Sequence, residues 1–251
     1  MNDTPWYERF FGDDYLNVYG REFTPERTER EVSFIDRVLE LAPGESVLDL
    51  CCGPGRHALL LAEQGMRVTA LDLSQQYIDA AAAEAARRGL EIETVRADMR
   101  ELAYDGRFDA VINMFSSFGY LEDEGEDAKV LSGVARALRP GGRALFDLLN
   151  RDWVVRNQLP LDEYFGNGGM KYEEHRHLDP ATSRNHITFV AIAPDGERRE
   201  IVGHHIRLYT LRELIAMFEG AGLRYERAYG SFDGEAYGLD TRRTIVVATK
   251  A

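Results

Sequence analysis

Two glycines and an acid carry the first chemical signal in this chain of 251 residues. In VLDLCCGPGRHALLLAEQGMRVTALDLS, residues 47–74, an apolar run containing Asp49 meets a bend at Gly53-Pro54-Gly55; a helical pattern follows, then a second apolar run ending at Asp72. Glycines there let the backbone turn sharply and present main-chain N–H groups at a helix N-terminus, while an acid about 20 residues on can accept both hydroxyls of a ribose. Gly53, Gly55 and Ala58 also satisfy the looser G-x-G-x-x-A form of dinucleotide enzymes, so the glycines alone leave NAD(P) open as the ligand.

The elements needed to hold such a turn can be read on both sides of it. Thr24 and Pro25 open an amphipathic helix with Val32, Ile35 and Leu39 on one stripe. Ser74 caps QQYIDAAAAEAARR and Gly89 ends it; EIETVRADM and FDAVINMF read as strands, a helix runs around Lys129 to Leu138, and RALFDLLN follows the break Pro140-Gly141-Gly142. Strands alternating with helices predict a parallel sheet covered on both faces, with its ligand beyond the C-terminal strand ends. The rhythm changes after Asn150: KYEEHRHL, RNHITFVAIA and ERREIVGHHIRLY predict an inserted antiparallel meander of three strands. A helix with a Thr210/Glu213 capping box and the strands RYERAYG and RTIVVATK close the chain.

The formal net charge is −13 and only three lysines occur, which speaks against DNA or bulk RNA as a partner, since gripping a phosphate backbone takes a basic face. The chain opens MNDTPWYERFFGDDY, without a leader pattern, and holds no apolar stretch of the roughly 20 residues that span a bilayer; a soluble cytoplasmic protein is expected. Its two cysteines, Cys51 and Cys52, are adjacent and lack a second ligand cluster, so neither a disulfide framework nor a metal site is expected.

Asp49-Leu50-Cys51-Cys52-Gly53-Pro54-Gly55, then Asp72, then Ala97-Asp98-Met99, in that order, resemble the motifs of the class I S-adenosylmethionine-dependent methyltransferases. Cys51 stands where the family most often has its first glycine. The resemblance implies a Rossmann-like α/β fold with a seven-stranded, mostly parallel sheet, helices on both faces, and S-adenosylmethionine as cofactor. It assigns the ribose to Asp72 and Leu73, adenine to Asp98 and Met99, and the methionine moiety to the neighbourhood of Asn113 and Met114. The N-terminal aromatics and the inserted meander are similar to those of small-molecule N-methyltransferases of the glycine, amino-sugar and antibiotic-tailoring type. That comparison puts Arg27, with Arg30 as the alternative, on the methionine carboxylate through a charge-assisted pair, and Tyr15 beside the cofactor.

The resulting organisation is residues 1–24 as an aromatic lid, 25–150 as the S-adenosylmethionine-binding core, 151–209 as the inserted β subdomain and 210–251 completing the sheet. Methyl transfer to a small-molecule acceptor, most readily an amine nitrogen, needs alignment and exclusion of water more than a dedicated base, and no catalytic residue is marked. Tyr7, Phe11, Tyr19, Phe118 and Tyr120 are candidates for the acceptor wall. Strand alternation puts His204 with Ile206 and Leu208, and His205 with Arg207 and Tyr209; both histidines read as structural or surface groups. A homodimer through the β subdomain is a further expectation, and a binding-only sensor on the same fold is the competing class.

Overall fold

The computed structural model describes residues 5–166 and 169–251; residues 1–4 of the expected lid lie outside them. The aromatic N-terminal stretch forms two short helices, α1 (Trp6–Phe10) and α2 (Asp13–Tyr19). Thr24 then accepts the Arg27 amide and starts α3 (Pro25–Leu39), with Pro25 at its first position. From there strand and helix alternate as the apolar periodicity dictates: β1 (Ser46–Leu50), α4 (Arg56–Glu63), β2 (Arg67–Asp72), α5 (Gln75–Arg88), β3 (Ile92–Arg96), β4 (Phe108–Asn113), α6 (Glu124–Ala137) and β5 (Leu138–Leu149). A helix not foreseen, α7 (Arg151–Asn157), is capped by Asn150 and precedes β6 (Leu161–Phe165), β7 (Lys171–Asp179), β8 (Arg184–Ile192) and β9 (Arg198–Arg207). The chain closes with α8 (Leu211–Gly220), β10 (Leu223–Tyr229) and β11 (Arg243–Lys250).

Seven strands pair in the order β10-β11-β5-β4-β1-β2-β3. The five central and outer strands β5-β4-β1-β2-β3 run parallel, while β11 is antiparallel to both β5 and β10. The order steps outward from β1 in both directions, so the strand ends diverge there and leave a crevice above Leu50. One apolar face packs Leu50, Phe108, Phe146 and Phe218; the other packs Val32, Ile35, Val47, Leu61 and Ile112.

The meander is a separate four-stranded antiparallel sheet, β6-β7-β8-β9, one strand larger than expected because LDEYF adds an edge. Its inner face carries Tyr164, Tyr172, Ile187, Phe189 and Ile201 against Trp6, Phe10 and Val18 of the N-terminal helices. Trp6 (8% exposed), Phe10 (1%) and Val18 (1%), from the stretch expected as an aromatic lid, are the core under that sheet. Short amphipathic helices gain their stability from the face they bury, and here the second sheet supplies it. Arg199 to Asp14, and the Tyr164 hydroxyl donating to the Val18 carbonyl at 3.0 Å, tie the layers together.

Candidate functional site

The crevice begins where β1 ends in a residue that no glycine replaces. Cys51 has φ +62°, the left-handed region that costs a side chain about 1 kcal/mol or more, and Gly53 (φ +55°) and Gly55 (φ +84°) continue the bend. At Gly55 any side chain would also strike Ala81, so this glycine allows α4 and α5 to approach. Asp72, at the end of β2, accepts the Gly53 amide at 2.8 Å and the Ser74 amide at 2.9 Å. Burial raises its pKa above the ordinary carboxylate range, against those two hydrogen bonds.

A cavity opens over these strand ends. Cys51, Gly53, Asp72 and Leu73 line one side, Ala97, Asp98 and Met99 another, and Tyr7, Phe11, Tyr15 and Tyr120 roof it, with Tyr77, Ser117 and Leu121 completing the wall. Asp98 caps the 3-10 turn Met99–Glu101 through the Arg100 amide and is paired with the Arg100 guanidinium at 2.6 Å. Burial alone would raise its pKa, but Arg100 holds it below the usual value. Met99 meets Cys51 sulfur to sulfur at 3.6 Å.

At the far end of the glycine turn lies a buried charge cluster. Glu31, fully buried on α3, receives Arg27 Nε at 2.8 Å, His57 Nε2 at 2.8 Å, and Arg56. Burial opposes its charge, yet His57, Arg56 and Arg27 hold its pKa far below the normal range. Arg27 also pairs with Glu22 and lies over the Phe115 ring, 5.2 Å from its centroid; it stands behind the cavity lining, while Arg30 is exposed. Arg56 Nη2 is buried with no partner among the described residues. The same holds for both oxygens of Asp49, 1% exposed, whose pKa burial pushes up to about 7.

After β4 the chain makes two consecutive left-handed steps, Phe115 (φ +57°) and Ser116 (φ +60°). Asp147 holds that strained pair by accepting the Phe115 amide at 3.0 Å on its carboxylate and the Ser116 amide at 2.8 Å on its carbonyl, with Arg243 neutralising the acid. Asn113 is fully buried and donates to the Leu50 carbonyl at 2.9 Å, locking the ends of β1 and β4 together.

The structure brings Tyr7, Phe11, Tyr15, Tyr120, Cys51, Gly53, Asp72, Leu73, Asp98 and Met99 to one cavity, and Tyr19 packs against Tyr15 with ring centroids 5.4 Å apart. Two expectations are corrected. Phe118 is 1% exposed and packs on Phe146 and Tyr209, so its ring belongs to the sheet core and walls nothing. The Met114 side chain, 3% exposed, lies in the opposite apolar face with Val47 and Ile112. The Phe118 candidacy rested on its aromatic ring alone and that of Met114 on the resemblance, and neither carries information on which way the side chain points. Sequence reasoning undervalued His204, which is 7% exposed and shares a 2.7 Å hydrogen bond with the Tyr19 hydroxyl. It also passed over Arg56; an arginine directly after the glycine turn was the available signal.

A family profile described as "Methyltransferase domain" matches residues 47–142, the segment that builds the crevice. The chain is 30% identical over 218 residues to a cypemycin N-terminal methyltransferase of Streptomyces sp, covering 81% of this chain and 82% of that one. It is 29% identical over 258 residues to a glycine/sarcosine N-methyltransferase of Halorhodospira halochloris, covering 100% and 92%. Among solved structures, the CcbJ methyltransferase from Streptomyces caelestis superposes with a TM-score of 0.81 at 21% identity, over 97% of this chain and 99% of that one.

Proposed function

This chain belongs to the class I S-adenosylmethionine-dependent methyltransferases, and from that membership we propose that it methylates an amine nitrogen of a small molecule. NAD(P) and the binding-only sensor are thereby set aside. The cofactor supplies a methyl group already activated by a sulfonium charge.

The chain's own residues fit that group. Asp72, with its two oxygens held by backbone amides, is oriented to accept ribose hydroxyls beside Leu73. On this reading Asp98 and the Met99 backbone, which line the opposite wall, take the adenine. The unpartnered Arg56 Nη2, with Arg27 beside it through Glu31, supplies charge-assisted donors for the methionine carboxylate, and the unpartnered Asp49 carboxyl lies on the same side of the turn. The Cys51 Sγ and Met99 Sδ line an apolar stretch between them.

The amine reading is supported by the roof itself, where the ionisable side chains stand buried among aromatic rings. Burial raises the pKa of Tyr15, Tyr19 and Tyr120 well above a free phenol, and burial together with the nearby His205 lowers His204 to about 3. Each is therefore held neutral, and none takes a proton readily at pH 7. A hydroxyl acceptor needs a base to become nucleophilic, whereas a neutral amine attacks with its own lone pair. Alignment between aromatic rings and exclusion of water then supply the rate. The names of the relatives, which place methyl groups on glycine and sarcosine nitrogen, support the same reading.

A screen with S-adenosylmethionine carrying a labelled methyl tests it against glycine, sarcosine, amino sugars and matched alcohols and phenols. Label on the amines alone is the expected result; label on an alcohol or phenol with none on an amine would reverse the assignment.

A further inference from the structure

His204 reaches the aromatic interior through an irregularity in β9. Across the β8–β9 pairing Ile187 faces His204 and Phe189 faces Ile201, so two steps on β8 correspond to three on β9. The extra residue is a bulge at Val202–Gly203. A Cβ at Gly203 would overlap the Ile187 carbonyl oxygen, which restricts the position to glycine. The bulge puts Ile201 and His204 on the same inner face, where unbroken alternation would separate them.

Inside, the imidazole stands among the rings of Phe10, Tyr19, Phe189 and Trp6, with centroids at 5.1, 5.9, 6.0 and 6.1 Å. Nε2 is 2.7 Å from the Tyr19 hydroxyl, and Nδ1 has no hydrogen-bond partner among the described residues. Two tautomers satisfy the 2.7 Å contact. With the proton on Nε2, the Nδ1 lone pair and the Tyr19 O–H are both left without a partner among the described residues. With the proton on Nδ1, Nε2 accepts from Tyr19 and only the Nδ1 N–H is left over, among aromatic rings. The second arrangement is the stable one.

Its consequence falls on Tyr19. The neighbouring polar groups are already engaged: the Tyr164 hydroxyl donates to Val18, and Glu174 is held by Arg176 Nε at 2.8 Å. Tyr19 Oη, its own proton given to His204, keeps lone pairs and no donor. Its ring lies against Tyr15, which roofs the cavity, and against the strained Phe115, with centroids at 5.4 and 5.8 Å.

We propose that His204 is a positioning residue which fixes Tyr19 Oη as a hydrogen-bond acceptor for the methyl acceptor, so that the site admits a nitrogen that still carries an N–H. This rests on the amine reading above and narrows it to primary and secondary amines. The nitrogen gives one N–H to Tyr19 Oη and aims its lone pair at the methyl; the N–C bond forms as C–S breaks, the electron pair stays on sulfur, and the ammonium product releases its proton to solvent. A neutral tertiary amine has no N–H to give and a protonated one has no lone pair, so methylation stops at the dimethylated nitrogen.

Imidazole 15N spectra of the wild-type protein with S-adenosylhomocysteine decide the tautomer without any acceptor. An unprotonated Nε2 and protonated Nδ1, with the Nε2 signal shifting in Tyr19→Phe, is expected; a protonated Nε2 overturns the proposal. In methyl transfer with glycine, sarcosine and N,N-dimethylglycine as probes, His204→Phe is expected to lower kcat/KM at least about tenfold and His204→Gln, which can still accept, less so. S-adenosylhomocysteine affinity in both variants is expected to stay within about twofold of wild type. Equal losses of kcat/KM in the two variants, or label on N,N-dimethylglycine at the rate of sarcosine, overturn the proposal. If the wild type methylates none of the three probes or any other amine in the screen, the amine reading fails, while the spectra still decide the direction of the Tyr19–His204 bond.

Discussion

Asp72 and Gly53, nineteen residues apart in sequence, are joined by a hydrogen bond of 2.8 Å from the Gly53 amide to a carboxylate oxygen. The other oxygen takes the Ser74 amide, so one side chain fixes the loops after β1 and β2. Asp72→Ala is therefore expected to act on binding and on stability together. Hydrogen bonds to a charged group are worth about 1.5–3 kcal/mol each, which predicts a loss of S-adenosylhomocysteine affinity of around a hundredfold and a lowered Tm. Calorimetric titration and thermal unfolding of the same variant check both; full affinity would remove Asp72 from the site.

Arg27 and Arg56 share Glu31, and among the described residues the Arg56 Nη2 is buried with no partner. Arg56→Ala should weaken S-adenosylhomocysteine about tenfold or more, Arg27→Ala somewhat less, and neither should alter binding of adenosine, which has no carboxylate. Parallel losses for both ligands in titrations would mean that the arginines act only through the fold.

Removing residues 1–19 strips Trp6, Phe10 and Val18 from beneath the four-stranded sheet. Losing a buried large side chain costs about 2–5 kcal/mol, and three are lost at once. The truncated protein should unfold at markedly lower temperature, with amide exchange accelerated in β7–β9 ahead of the seven-stranded sheet. A truncation with wild-type Tm would reinstate a dispensable lid.

Asp49 gives a pH dependence whose sign follows from burial. Its pKa is raised in the fold to about 7 from an ordinary value near 4, so the folded state binds the proton more tightly. The associated stability is complete below about pH 4 and is lost as pH rises to about 7, by up to roughly 4 kcal/mol. Asp49→Asn removes this dependence: without ligand, its Tm at pH 8 should exceed that of the wild type, whereas at pH 5 the two should draw together. Equal pH slopes for the two proteins would contradict it.

The strand–turn–helix core was legible because each of its elements is amphipathic or apolar with a cap to mark its ends; Thr24, Ser74, Gly89 and the Thr210/Glu213 box all act where expected. The glycine turn, Asp72 and Asp98 were legible for the same reason, as local signals in a fixed order. What escaped depends on backbone that leaves the regular period. The chain takes two left-handed steps at Phe115–Ser116 before Phe118 enters the core, and one extra residue in β9 puts His204 on the same face as Ile201. Short helix α7 and edge strand β6 escaped because each is under eight residues and borrows its stability from neighbours.

The pairing beyond the bulge in β9 gives the two adjacent histidines opposite faces of the sheet. His205 points to the other side, where it is bonded to Glu122 and stands opposite His186, its ring 5.4 Å from that neighbour. Deleting Gly203 would restore regular pairing through the C-terminal half of β9 and leave its partner strand untouched. Ile187 would still face His204 and His186 would still face His205, so the same imidazole would meet Tyr19 with or without the extra residue.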